Sequence, residues 1–180
     1  VTNMKIQARF RQQAKKTGKT ETFNTQELEE LRMYLLRKYT DTHNIAFLAV
    51  YLNFYLGLRV GELVALRWEE IEDSNLHVCR EEILNRDTRE YEIVEHTKTY
   101  TDRYIFLSSK AQEILEMIPR DNPEYLFVRD GNRLHTRQIA YVLEKYAKDN
   151  NLDTKSTHKM RKTFASLLNA AGIPLDAIRE

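Results

Sequence analysis

The chain has 180 residues, a formal net charge of +1 and a hydrophobic content of 42%, with ten tyrosines and seven phenylalanines. This composition is typical of a folded globular domain and excludes a disordered polymer. The apolar segment at residues 45–56 is too short to cross a bilayer, and a single cysteine excludes an intrachain disulfide. We therefore expect one soluble domain without a signal peptide, in which Cys79 fills core space.

The charged residues are segregated along the chain. Basic runs occupy residues 9–19 and 155–162, whereas residues 27–30 and 69–73 are acidic. A protein that turns one face toward a polyanion would show this pattern, and so would a protein with ordinary solvated helix faces. Charge alone leaves both interpretations open.

Helical signals dominate the first third of the chain. Residues 1–22 have weak periodicity and are interpreted as a linker or incoming arm. The first helix begins at Asn24, which has capping-box spacing with Glu27. Apolar residues on almost every side of segment 44–56 predict a central, buried helix. A third helix is predicted over residues 60–68.

The hydrophobic period then changes to that of strands. Three segments rich in β-branched or aromatic residues are predicted to form one small antiparallel sheet: residues 76–83, 91–96 and 103–107. The second turn of this sheet places Lys98 near a hairpin tip. Helical spacing returns afterwards, with helices predicted after Ser109, from Thr136, over residues 157–171 and from Leu175. The predicted fold class is mainly α with a small three-stranded antiparallel sheet.

Arg59 lies at the junction of two predicted buried helices. Gly57 supplies the left-handed residue that commonly ends a helix, and a new apolar pattern begins at Val60. The arginine is therefore mounted rigidly where one helix stops and the next starts. A helix corner with a solvent-facing arginine fits this stretch equally well.

His158 and Arg161 lie beside the apolar stripe of the helix predicted over residues 157–171. They are about 60° apart around the helix axis, so both can reach one small target at the rim of the core. A lone His-x-x-Arg is common in surface helices. The functional interpretation therefore depends on the presence of Arg59 and Lys98 as well. Such a group, without clustered carboxylates for a metal, suits binding of a phosphodiester and stabilisation of its five-coordinate transition state.

Three segments resemble the active-site boxes of the tyrosine recombinases, the phage and transposon integrases. Gly-Leu-Arg-Val-Gly-Glu-Leu at residues 57–63 is similar to their first arginine box, and Thr-His-Lys-Met-Arg-Lys-Thr-Phe-Ala at residues 157–165 is similar to their second. Thr-Lys-Thr at residues 97–99, followed by Arg103, resembles their hairpin lysine segment. The resemblance covers roughly residues 25–180 and implies the catalytic-domain fold of that family.

The resemblance implies site-specific DNA recombination, in which a mobile element is integrated or excised through a 3′-phosphotyrosine intermediate. Arg59 and Arg161 would clamp the scissile phosphate. Lys98 would protonate the departing 5′ oxygen. His158 would hydrogen-bond the phosphate and assist proton transfer.

Further residues and partners follow from the same resemblance. Glu62 matches an acidic position that orients the positive groups. Lys155, Lys159 and Lys162 are expected to contact DNA, although the family often has histidine where this chain has Lys162. The implied partners are double-stranded DNA and other recombinase protomers, with no metal or other cofactor and no membrane. The expected location is the cytoplasm, in a bacterial or phage-derived, nucleoid-associated protein.

The chain departs from the family pattern toward its ends. The family's nucleophilic tyrosine follows a further box beyond the helix that starts near Leu175, whereas the last tyrosine here is Tyr146. We therefore expect no nucleophile within residues 1–180 and no activity of this chain alone. Residues 1–22 are expected to be the arm from a missing N-terminal DNA-binding domain, and residues 23–180 a catalytic domain incomplete at its C-terminus.

Three other interpretations remain open. The chain could be a DNA-binding remnant or regulator that has no catalytic activity. It could be a non-enzymatic helical protein-interaction domain, in which the three boxes are coincidence and nucleic-acid affinity is absent. A type IB topoisomerase would use the same chemistry, although the boxes around Arg59 and His158 resemble the recombinases more closely.

Overall fold

The computed structural model describes residues 22–173. The predicted arm, except its last residue, and the helix predicted from Leu175 lie outside this range. The α-helices of the described part are α1 (Thr25–Thr42), α2 (Ile45–Leu56), α3 (Val60–Ala65), α4 (Ser109–Glu116), α5 (Thr136–Asp149) and α6 (Thr157–Ala170). None of these helices is both long and apolar enough to span a bilayer.

Helix α2 forms the centre of the fold, as its sequence predicts. Every residue of α2 except Tyr55 is buried, and helices α1, α4, α5 and α6 pack around it. Because each buried large apolar side chain contributes about 1.5–3 kcal/mol, this helix supplies a substantial part of the hydrophobic stabilisation.

The predicted start of α1 is also confirmed. The Asn24 side chain accepts a hydrogen bond from the Glu27 backbone N–H at 2.9 Å, and the Glu27 carboxylate accepts one from the Asn24 backbone N–H at 2.8 Å. Phe23, just before the cap, packs edge-to-face on Phe54 of α2 with ring centroids 5.6 Å apart. These contacts fix the direction in which the chain enters the domain.

Helix α3 is shorter than the segment 60–68 predicted for it. After Ala65 the backbone extends, and Leu66 and Trp68 form backbone hydrogen bonds with residues 124–126 instead of continuing the helix. Residues Trp68–Glu70 then make a single 3-10 turn. The competing partner is distant along the chain, so the local period could not reveal it.

The strands of the described part form three small antiparallel sheets. They are β1 (Ile71–Glu72), β2 (Asn75–Val78), β3 (Glu81–Leu84), β4 (Tyr91–Val94), β5 (Arg103–Phe106), β6 (Val128–Arg129) and β7 (Asn132–Arg133). The described part has a three-stranded sheet in the order β1-β2-β5, and two-stranded sheets β3-β4 and β6-β7. A mainly helical fold with a small three-stranded antiparallel sheet is therefore confirmed.

The predicted pairing of segments 76–83, 91–96 and 103–107 in one sheet was wrong. The first segment is interrupted at Cys79 and Arg80, so its two halves join different sheets. At this interruption the Arg80 side chain joins an ion-pair cluster. Its Nη1 lies 2.9 Å from Oε1 of Glu70, and its Nε lies 3.0 Å from Oε2 of Glu95. Lys98 consequently lies in a connection between two sheets and not at the tip of a hairpin.

Candidate active site

The corner between α2 and α3 is held by a buried asparagine. The Asn53 side chain accepts a hydrogen bond from the Leu58 backbone N–H at 2.9 Å and donates one to the Leu58 carbonyl at 3.2 Å. Gly57 caps α2 in the left-handed conformation, with φ of 63°. Arg59 follows as the N-cap residue of α3. Asn53 is the one polar residue in the apolar run of α2, and that interruption was the sequence signal for its role.

The polar groups of this corner bind one carboxylate, that of Glu62. Its side chain is fully buried, and it accepts hydrogen bonds from the Arg59 backbone N–H and from Arg59 Nη1, each at 2.8 Å. Arg103 at the start of β5 binds the same carboxylate with both terminal nitrogens, at 3.1 and 2.7 Å. Burial alone would raise the pKa of Glu62, but the hydrogen bonds and charge of Arg103, together with the hydrogen bonds from Arg59, hold the pKa below its usual value.

Arg161 reaches the same corner from α6. Its Nη1 donates a hydrogen bond to the Gly57 carbonyl at 2.6 Å. Burial lowers the pKa of the Arg161 guanidinium, and the nearby charge of Arg59 lowers it further. An arginine stays protonated despite such shifts, so Arg59 and Arg161 remain two like charges that repel each other. An anion placed between Arg59 and Arg161 would relieve that repulsion.

Lys98 and His158 complete the arrangement. Together with both arginines they line an open cleft of about 620 Å³, whose remaining walls are Leu58, Val60, Thr99 and Thr157. Lys98 and His158 are solvent-exposed, so each can meet a large substrate. The four predicted catalytic residues, which come from three separate stretches of the chain, are thus brought to one cleft.

The turn that carries Lys98 is organised by Thr97, which the sequence did not single out. Thr97 is fully buried. Its hydroxyl donates to the Thr101 carbonyl at 3.0 Å, and its carbonyl accepts from the Tyr100 backbone N–H at 2.9 Å. The lysine is therefore presented on a closed turn.

The cleft carries an excess of positive charge. Arg59, Lys98 and Arg161 line it, and Arg103 lies directly behind Arg59 on Glu62. The second buried carboxyl nearby is Glu81 on β3, whose pKa is raised by burial and by the charge of Glu62. Within residues 22–173, no three His, Cys, Asp or Glu side chains cluster as a metal ion would require.

The three lysines predicted to contact DNA do not line the cleft. Lys155 donates to Glu27 at 2.6 Å and to the Thr22 carbonyl at 3.1 Å, and it borders a separate cavity of about 190 Å³. In this arrangement its ammonium group is engaged by protein. Lys159 and Lys162 lie on α6 with their side chains partly buried.

Replacing Gly57 with alanine is expected to cost roughly 2–5 kcal/mol of folding free energy. Alanine is strained in the left-handed conformation of Gly57, and its methyl group would overpack a neighbouring side chain. A Cβ at Gly57 would lie 2.1 Å from Cδ1 of Phe164 on α6, the helix that carries Arg161. Chemical denaturation measures the loss. Gly131→Ala is the matched control, because Gly131 also has positive φ but meets nothing within 4 Å. Equal losses for the two variants would show that the close approach of α6 contributes nothing.

Residues 21–180 match the family model described as "Phage integrase family". The chain is 31% identical over 142 residues to the tyrosine recombinase XerA of Thermococcus kodakarensis, covering 74% of this chain and 44% of that protein. It is 26% identical over 162 residues to a probable integrase/recombinase of Acholeplasma phage L2, covering 89% of this chain and 52% of that protein. The chain thus spans about half the length of these relatives.

The fold also matches a solved structure of the Tn1549 transposon integrase in complex with a circular intermediate DNA. The TM-score is 0.73 at 18% identity, and the match covers 91% of this chain and 58% of that one. At this identity the likeness shows the shared fold alone.

Proposed function

Because this chain belongs to the phage integrase family, we propose that its cleft is the phosphate-activating part of a site-specific DNA recombinase. The reaction would cleave and rejoin DNA strands through a 3′-phosphotyrosine, and so integrate or excise a mobile element. Double-stranded DNA is the substrate, and other recombinase protomers assemble with the protein on it.

One observation carries the proposal: Arg59, Lys98 and Arg161 line one cleft, and no carboxylate is among the described residues that line it. Glu62 already serves both Arg59 and Arg103, while Arg161 is bound to a backbone carbonyl. A phosphodiester supplies the missing negative charge and accepts the planar, two-pronged hydrogen bonds of guanidinium groups. The charge that the phosphate gains in its transition state would be stabilised further by donors already held in place.

The proposed roles of the four cleft residues are those that the family resemblance implies, and the meeting of all four at one cleft supports them. Arg59 and Arg161 hold the non-bridging oxygens of the scissile phosphate. Lys98, on its exposed turn, protonates the departing 5′ oxygen, and His158 donates to the phosphate and assists proton transfer. Glu62 orients Arg59. Lys159 and Lys162 contact neighbouring phosphates from α6.

The nucleophile is proposed to lie outside residues 1–180, either downstream in the same protein or in a neighbouring protomer. None of the described residues that line the cleft is a tyrosine. Residues 1–22 are proposed to be the arm from an N-terminal DNA-binding domain, and residues 23–180 to be part of the catalytic domain. The same observation favours a second candidate, a protein that binds DNA at this cleft without cleaving it.

The test is salt-dependent binding of this chain to labelled duplex DNA. We expect log Kobs to fall linearly with log salt, because Lys and Arg release counterions from the phosphates. Arg161→Gln should weaken binding and reduce the slope by about 1, the loss expected for one phosphate contact. Fluorescence anisotropy at several salt concentrations measures both quantities.

Lys155→Gln is the matched control, since it also removes one cation from the segment around α6. Because Lys155 is held by Glu27, its substitution should leave the slope unchanged. No binding at low salt, or binding that is equally tight at low and high salt, would overturn the proposed function.

A further inference from the structure

We propose that Arg103 is a positioning residue, which locks the turn carrying Lys98 to the helix carrying Arg59. The inference rests on the proposed function, because it assigns Arg103 a role in that reaction. Arg103 does not line the cleft and would act through its neighbours.

The link between the two elements is a buried, two-pronged ion pair. Arg103 is the first residue of β5, and Glu62 lies in the first turn of α3. The Glu62 carboxylate is fully buried, and the Arg103 side chain is 18% exposed. Two parallel hydrogen bonds from one guanidinium fix the orientation of both partners, which a single lysine contact would not.

Arg103 lies close to the Lys98 turn along the chain. The hydroxyl of Thr97 closes that turn on the carbonyl of Thr101, two residues before Arg103. One end of the turn is therefore anchored at the ion pair. The other end leads into β4, which pairs with β3 in a different sheet from β5. The ion pair thus holds the turn at the point where the chain passes from one sheet to the other.

Accurate placement of Lys98 relative to Arg59 is what the proposed reaction needs. Arg59 would hold a non-bridging oxygen while Lys98 donates a proton to the bridging 5′ oxygen of the same phosphate. A misplacement of about 1 Å between reacting groups can cost on the order of 100-fold in rate. Glu62 holds Arg59 by two hydrogen bonds and Arg103 by two more, so one carboxylate sets the distance between both elements.

The experiment compares two DNA substrates in a recombinase that carries this chain together with the tyrosine segment. In one the leaving atom is the ordinary 5′ oxygen, and in the other it is sulfur, which departs as a thiolate and needs no proton because thiols are far more acidic than alcohols. We expect Arg103→Met to slow cleavage of the oxygen substrate by roughly 10- to 100-fold, up to the cost of a misplacement of about 1 Å between reacting groups. The sulfur substrate should lose only a few-fold, and Arg103→Lys, which keeps the charge but not the fork, should lie between the two.

Arg133→Met is the matched control, because Arg133 is also a buried arginine on a fully buried glutamate, Glu82, and neither residue lines the cleft. It should lower the melting temperature as Arg103→Met does, without a difference between the two substrates. Equal losses on oxygen and sulfur for Arg103→Met, or for Arg103→Lys where the methionine variant does not fold, would overturn the inference. Lys98→Ala tests the proposed function by itself: if the sulfur substrate fails to restore cleavage by this variant, Lys98 is not the proton donor.

Discussion

Replacing Arg59 with lysine in a complete recombinase is expected to slow strand cleavage by about 100- to 1,000-fold, the cost of losing one preorganised donor to the transition state. Lysine keeps the positive charge but presents it as a point, without the planar fork that matches two phosphate oxygens. The effect on folding should be small. Arg59 is about one-third exposed, and a lysine at the N-cap of α3 retains the backbone N–H that donates to Glu62.

Single-turnover cleavage rates and thermal melts of the same preparations separate the two effects. Arg133→Lys serves as the control, because it makes the same exchange at a buried ion pair outside the cleft. Its cleavage rate per folded molecule should be unchanged. A large drop in melting temperature for Arg59→Lys, with cleavage per folded molecule intact, would make Arg59 a structural residue.

The sequence predicted the helical part of the fold and most of the cleft, because those features are encoded locally. The capping box at Asn24, the apolar run of α2 and the glycine at its end each lie within a few residues of the structure they specify. Arg59 and Arg161 follow from the same local rules, since each has a fixed place relative to a helix. Three distant stretches could be assigned to one site because each resembled a family box.

What the sequence did not predict depends on partners far along the chain. The break at Arg80 divides one predicted strand between two sheets, and Arg80 there pairs with Glu95, which lies beyond the next turn. The ion pair between Lys155 and Glu27 joins residues near opposite ends of the described chain, and no local pattern indicates it. Arg103 was noted only as part of a resemblance, and its pairing with Glu62 across 41 positions has no local signature.

The chain of residues 1–180 alone is expected to form no covalent adduct with DNA. Strand cleavage requires a phenolic oxygen in line with the leaving oxygen, and the phenol must be activated because it ordinarily titrates near pH 10. The environment of tyrosines in the described core works against such activation. Burial, together with a hydrogen bond to Tyr51, raises the pKa of Tyr55 to about 12, and burial also raises the pKa of Tyr146.

The assay incubates this chain with a nicked duplex that traps cleaved intermediates, and it looks for a protein–DNA band that resists denaturant. Restoring the proposed tyrosine segment should produce the band, and Arg161→Gln in that longer protein should remove it while leaving the fold intact. Tyr100 is the sharpest internal control, because it is 77% exposed and lies two residues from Lys98. A band from residues 1–180 that disappears in Tyr100→Phe would place the nucleophile on the Lys98 turn and contradict the proposal that it lies outside this chain. If no band forms even with the segment restored, although the duplex is bound with the expected salt dependence, the cleft serves DNA binding alone.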